Sequence, residues 1–200
     1  FAGDRRITLV REVLAGRLLD LYGQNRTDEW RWYEESLTYC NGALPHALLI
    51  CGQRIPDNEM IEAGLESLQW LANLQRAETT GGHFVPIGSN GFYQRGGQRA
   101  RFDQQPVEAQ AMVSSCLAAH RLTGDQRWHK EARRAFDWFL GRNDLNLPIY
   151  DPTTGGCRDG LHPDRPNENQ GAESSLAFLQ AVLELRLAET TLASVETGAR

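Results

Sequence analysis

Apolar residues recur at three- and four-residue intervals in six stretches of the chain, and the stretches alternate between two kinds. The first, third and fifth carry one apolar stripe and one charged side, which predicts amphipathic helices on the outside of a fold. Near residues 4–22 the stripe is Ile7, Val10, Leu14, Leu18 and Leu21, with Arg5, Arg6, Arg11 and Glu12 elsewhere. Near residues 57–75 it is Ile61, Leu65, Leu68 and Ala72, with Glu59, Glu62 and Glu66 turned away. Near residues 126–142, Trp128, Ala132, Ala135, Phe136 and Phe139 oppose Lys130, Arg133, Arg134 and Asp137. The other stretches, near residues 41–52, 106–120 and 171–187, are apolar almost all round. Before Glu184 their only formal charges are Glu108 and Glu173. A helix of that kind must be buried on most sides, so the chain reads outer, inner, outer, inner, outer, inner.

The connections follow the same alternation. Inner-to-outer links are short, at residues 53–56 and 122–125, the latter with Gly124 as a stop signal. Outer-to-inner links are long, at residues 23–40, 76–105 and 143–170. Loops beyond ~12–15 residues in a compact domain are usually functional or disordered, and the Trp, Tyr, Phe, Arg and Asp in these three favour function. In an antiparallel helical array all three lie at one end, over the N-termini of the inner helices. The expected fold is therefore all-α, a partial α/α toroid of about six helices with its long loops at one end. Residues 1–190 form the helical domain and 191–200 a flexible C-terminal tail. Two short repeats support stacked αα units. Thr79-Thr80-Gly81-Gly82 recurs as Thr153-Thr154-Gly155-Gly156, and Gln105-Pro106-Val107-Glu108 is echoed by Gln170-Gly171-Ala172-Glu173. Ser89-Asn90-Gly91 suggests a small hairpin in the second long loop.

A net charge of −5 with 24% charged residues argues against a nucleic-acid binder, which would show a basic face. No apolar run approaches the ~20 residues that span a bilayer. Cys40, Cys51, Cys116 and Cys157 form no CxxC pair, and a chain of this length needs no disulfides, which points to a reducing, cytoplasmic compartment. There is no signal-peptide pattern, although the chain opens at Phe1 and its start reads as trimmed. Cys116 and His120 stand four apart on one helix but have no second ligand pair at zinc-like spacing, so no metal is expected. No phosphate-binding glycine loop is present, and no cofactor is implied.

The loop end gathers aromatic, amide and carboxyl groups, a mixture that suits a polyol. Substrate-binding candidates are Trp30, Trp32, Tyr33, Tyr93, Arg95, Gln104, Glu108, Arg158, Asp159, Gln170 and Glu173. Two carboxyl groups across a pocket could perform glycosidic acid–base chemistry, one protonated and one ionised. Glu35 or Glu34 beside Trp32 suits the raised pKa, and Asp103 the opposite wall. At helix starts, Glu108 and Glu173 suit base or binding roles better than acid. Structural readings stand beside these. Glu108 and Glu173 could instead cap their own helices, Trp30 and Trp32 could plug the core, Asp103 could be a cap, and Asp151 before Pro152 reads as a turn opener. Arg95, Arg99 and Arg101 could be a solvated loop or a clamp for acidic or phosphorylated sugars.

Several stretches resemble the helical domain attached to many bacterial glycosyltransferases of the glycogen-synthase-like class. They are Trp30-Arg31-Trp32-Tyr33-Glu34, Leu37-Thr38-Tyr39-Cys40-Asn41-Gly42-Ala43-Leu44-Pro45, Arg101-Phe102-Asp103-Gln104-Gln105-Pro106, Phe139-Leu140-Gly141-Arg142-Asn143-Asp144 and Gly155-Gly156-Cys157-Arg158-Asp159-Gly160-Leu161. That domain is similar to six-hairpin glycosidase or epimerase toroids. Such domains often have Asp before Asn where this chain has Cys40. The resemblance, over about residues 29–187, implies a sugar ligand and a glycoside-hydrolase-like activity. A non-catalytic sugar-binding or scaffolding domain of a glycosyltransferase is an alternative, as is an epimerase using His83 and His162. A full toroid has about twelve helices, so the six here imply either a C-terminal portion, partnered by a glycosyltransferase domain, or closure by pairing with a second copy.

Overall fold

The computed structural model describes residues 4–78 and 81–198, with side chains as far as residue 190. It is all-α, with six helices: α1 (Arg5–Asn25), α2 (Ala43–Arg54), α3 (Asn58–Leu74), α4 (Pro106–Thr123), α5 (Gln126–Asp137) and α6 (Ala172–Gly198). Each lies where the apolar periodicity places it. Thr79 and Thr80 of the first Thr-Thr-Gly-Gly repeat, and residues 199 and 200 of the expected tail, lie outside the described residues. Residues 191–198 continue α6.

Aspartates start the outer helices. The Asp4, Asp57 and Asp125 carboxylates each accept from backbone N–H groups in the first turn of the helix that follows, which satisfies donors that no intrahelical carbonyl can reach. Gly124, at φ 70°, ends α4 in the left-handed conformation that a residue with a Cβ resists. Helix α5 is shorter than its apolar pattern. After Asp137 the hydrogen bonds tighten to three-residue spacing at Phe139, Leu140 and Gly141, and Gly141 turns the chain at φ 100°.

The helices form two rows. Helix α4 packs between α2 and α6 in the inner row, while α1, α3 and α5 lie behind them. Residues 111–120 of α4 are buried throughout, as its nearly uncharged sequence requires. The expectation fails at the two ends. Helix α1 buries Ala15 and Tyr22, with Leu18 and Leu19 packed beside them, yet Ile7, Val10, Leu14 and Leu21 of its expected core stripe are exposed. Helix α6 buries the face of Ala177, Phe178, Ala181 and Leu185 and exposes Leu176, Leu179 and Leu183. The reason is position: an end helix lacks the neighbour that an interior one has on its far side.

Candidate functional site

The N-termini of α2, α4 and α6 meet at one end of the inner row. Glu108, in the first turn of α4, accepts from the backbone N–H groups of Cys40 and Asn41 (3.2 Å for Asn41) and from Asn41 Nδ2 at 3.0 Å. Tyr39 donates to Glu173 Oε2, in the first turn of α6, at 2.5 Å. Gly42 makes the first of these approaches possible, because a Cβ there would fall 2.7 Å from the carbonyl carbon of Ala111.

The three long loops are stitched together over this end. Strand β1 (Ser36–Leu37) of the first pairs antiparallel with β2 (Tyr93–Gln94) of the second, so the expected local hairpin is replaced by a pairing between loops. Gln104 of the second exchanges backbone hydrogen bonds with Leu161 of the third, at 3.0 and 2.9 Å. Beside that bridge His162 Nδ1 donates to Asp103 Oδ1 at 2.5 Å. On the other side of the same strip Asp144 accepts from His83 Nε2, Arg101 Nη2 and Gln104 Nε2, each at 2.8 Å. Burial pushes the Asp144 carboxyl up, but these three donors outweigh it and hold the pKa below the usual carboxylate range.

Most of the first loop's candidates turn out to be structural. Trp30, Trp32 and Tyr33 are buried and pack with Trp70, Tyr93 and Tyr22 into one aromatic cluster. Trp32 and Tyr33 have no exposed face to offer a ring; their large apolar area is spent on closing the top of the core. Glu34 is exposed and uses its backbone carbonyl to accept from Trp30 Nε1. Glu35 is also exposed and pairs with Arg95 at 3.0 Å, not with Trp32, so the apolar enclosure expected for it is missing. Tyr93 packs against Trp30 at a tilt, and the Arg95 guanidinium lies over the Trp30 ring. The arginine cluster is fully engaged: Arg95 with Glu35, Arg99 with the Leu74 carbonyl and Arg101 with Asp144.

The second and third loops divide in the same way. Gln104 is enclosed, with its carbonyl taken by Trp138 Nε1 at 2.7 Å and its amide by Asp144. Asp159 caps α6, accepting from Gly171 N and Ser174 Oγ at 2.7 Å each. Gln170 ties Thr154 to Asp151, Asp151 opens a turn through Thr153, and Arg158 bridges Asp151 and Glu168. Asp103, His162, Tyr39 and Glu173 keep part of their side chains open to solvent at the rim.

Glu108 departs most from expectation. Its helix-start position favoured an ionised group, yet burial pushes its pKa up to about 7, against three donors that pull it down. It holds the turn that leads into α2, and not the start of its own helix. Tyr39, by contrast, is pushed up to about 12, chiefly by its hydrogen bond to Glu173. Asp144 is the residue that the candidate list lacked. Its signal was available in the Gly141-Arg142-Asn143-Asp144 turn, a carboxylate set after a left-handed glycine and opposite a loop rich in arginine.

Among the described residues no group of three or more His, Cys, Asp or Glu is placed to hold a metal ion, all four cysteines are free thiols, and no helix is long and apolar enough to cross a membrane. No protein-family model matches this chain, and no curated protein matches it.

Proposed function

We propose that the rim over the inner helices binds a carbohydrate and that the chain is a sugar-processing domain of glycoside-hydrolase-like type, built as part of an α/α toroid. One observation carries the reading. Two partly exposed carboxyl groups, Asp103 and Glu173, stand at the starts of different inner helices, each held by a neutral or titratable partner, His162 and Tyr39. Carboxyl, phenol and imidazole groups of this kind hydrogen-bond sugar hydroxyls, and a carboxyl pair supplies the acid and base of glycosidic cleavage. In this reading Asp103 is one member of that pair and Glu173 the other, in place of Glu35 and Glu34. The test is an end-point screen of α- and β-linked oligosaccharides with the chain and its Asp103→Asn and Glu173→Gln variants. Turnover that both substitutions reduce at least ~100-fold fits acid–base roles. Turnover that neither touches rejects them.

A second reading, a non-catalytic sugar-binding domain, is favoured by the enclosure of Glu108. The group with a pKa near neutrality is spent holding α2 to α4 and has almost no surface for a ligand. Binding by titration calorimetry that survives Glu173→Gln, with no product formed, supports this reading.

A further inference from the structure

Lys130, Arg133, Arg134 and Asp137 stand three or four residues apart and so share one face of α5. That face, the turn at residues 142–146 and the loop at Gly81 and His83 line a cleft of ≈ 510 Å³, within the range of small-ligand sites. Four cations and one carboxylate line it, in a chain of net charge −5. Arg134 is spent on structure, bonded to Glu131 and to the carbonyls of Ala72 and Gln75. Asp137 accepts from Arg133 Nε at 3.2 Å and from Arg142 Nη1 at 3.3 Å, and Arg133 Nη1 also reaches Glu189 at 3.3 Å. A guanidinium has several further N–H donors, so both Arg133 and Arg142 keep some of theirs free. Lys130 is exposed and has neither a hydrogen bond nor an ion pair. In the same lining, His129 Nε2 is enclosed without a partner, an unmet polar group of the kind that a bound molecule or water satisfies.

We propose that this cleft binds a small phosphate monoester, its phosphoryl group held by Lys130, Arg133 and Arg142. The number of cations sets the ligand class. One guanidinium satisfies a carboxylate in bidentate fashion, whereas a phosphate monoester spreads nearly two charges over three oxygens and calls for more than one cation. Asp137 lowers the positive charge of the cleft, but it also holds two guanidinium groups side by side. That preorganisation reduces the entropy cost of gathering them around an anion. A long polyanion fits less well, because the cations are confined to one concave cleft and the rest of the chain is acidic. The cleft shares no lining residue with the rim's Asp103, His162, Tyr39 and Glu173, so the proposal does not depend on what the rim binds.

Titration calorimetry of the 200-residue chain in low salt tests it, at about pH 8, where the phosphate is a dianion. The probes are glycerol 3-phosphate, glycerate and glycerol. Glycerol 3-phosphate is expected to bind at least ~10-fold tighter than glycerate, and glycerol not to bind at all. A Lys130→Gln/Arg142→Gln variant should bind the phosphate at least ~10-fold more weakly. Both side chains are exposed, so the variant should fold, which circular dichroism checks. An Arg5→Gln/Arg6→Gln variant on α1 changes the net charge equally and should bind as the wild type does. No binding of glycerol 3-phosphate at millimolar concentration overturns the proposal. So does binding that survives Lys130→Gln/Arg142→Gln, or that weakens equally in the α1 variant. Tighter binding of a short single-stranded DNA, lost with Lys130 and Arg142, overturns the assignment to a small ligand.

Discussion

Helix α4 lies between α2 and α6, with α5 and α3 behind it, and from residue 111 to residue 120 no side of it reaches solvent. Helix α6 ends the same inner row, buries the face of Ala177, Phe178, Ala181 and Leu185, and leaves a second apolar face in water. Their sequences are alike in the property that sets burial, long apolar runs with one glutamate near the start. The difference lies in the number of neighbours, which a helix's own sequence does not record. The same apolar residue is therefore worth several kcal/mol on one helix and little on the other.

The largest expected effect breaks this comparison most directly. Leu117→Ala on α4 removes a fully buried side chain and should cost about 2–5 kcal/mol, from lost transfer energy plus an unfilled cavity. Leu183→Ala on α6 should cost within about 0.5 kcal/mol. Urea denaturation measures both. Equal losses would mean that α6 is covered as well as α4.

Glu108 and Glu173 carry the comparison to the helix starts, where sequence echoes sequence. Glu108→Ala leaves the N–H groups of Cys40 and Asn41 inside the fold without an acceptor and should cost on the order of 3 kcal/mol. Glu173→Ala removes one exposed hydrogen bond and should cost about 1 kcal/mol or less. A thermal-unfolding comparison separates them by several degrees.

The pH dependence sharpens the contrast. The folded-state pKa of Glu108 lies at about 7, above the 4.5 of an ordinary glutamate. Between those values the folded chain holds a proton that the unfolded chain has released. Stability should therefore fall as pH rises through that window, by at most about 1.4 kcal/mol per pH unit, and level off above it. Glu108→Gln should flatten the decline. Denaturation midpoints from pH 5 to pH 8 show it, and a wild-type profile with no decline would mean that the carboxyl is ionised throughout.

How far the sequence was legible follows from what it encodes locally. The helices, their aspartate caps and the stop at Gly124 depend on residues a few positions apart, and each lies where periodicity and capping chemistry put it. The convergence of three long loops was legible too, since alternating inner and outer helices forces it. Which aromatics close the core and which face solvent was not. Trp30 and Trp32 are buried because Trp70, some 40 residues on, stacks against them, and no local pattern marks that contact. The target of Glu108 was hidden for the same reason: its partners at Cys40 and Asn41 lie in the turn before α2, more than 60 residues away along the chain. The open ends of the rows follow from a neighbour count that periodicity never contains.

The smallest expected effect concerns Tyr39, which links the turn before α2 to the start of α6. Tyr39 is about half exposed, so Tyr39→Phe should cost less than about 1 kcal/mol of stability. Its ionisation is a finer probe than its energy. The Glu173 carboxylate accepts the phenolic proton and repels the phenolate, which holds the Tyr39 pKa at about 12, against 10.0 for an ordinary tyrosine. Glu173→Gln removes the charge, so one tyrosine should begin to ionise at lower pH in a spectrophotometric titration. In Tyr39→Phe the same Glu173→Gln change should shift no tyrosine. Tyr22 and Tyr33, held higher still by burial, stay silent in that range. An unchanged titration in Glu173→Gln would mean that the pair does not form in solution. The start of α6 would then be untied from the first loop, and the rim would lose the contact that brings Glu173 into it.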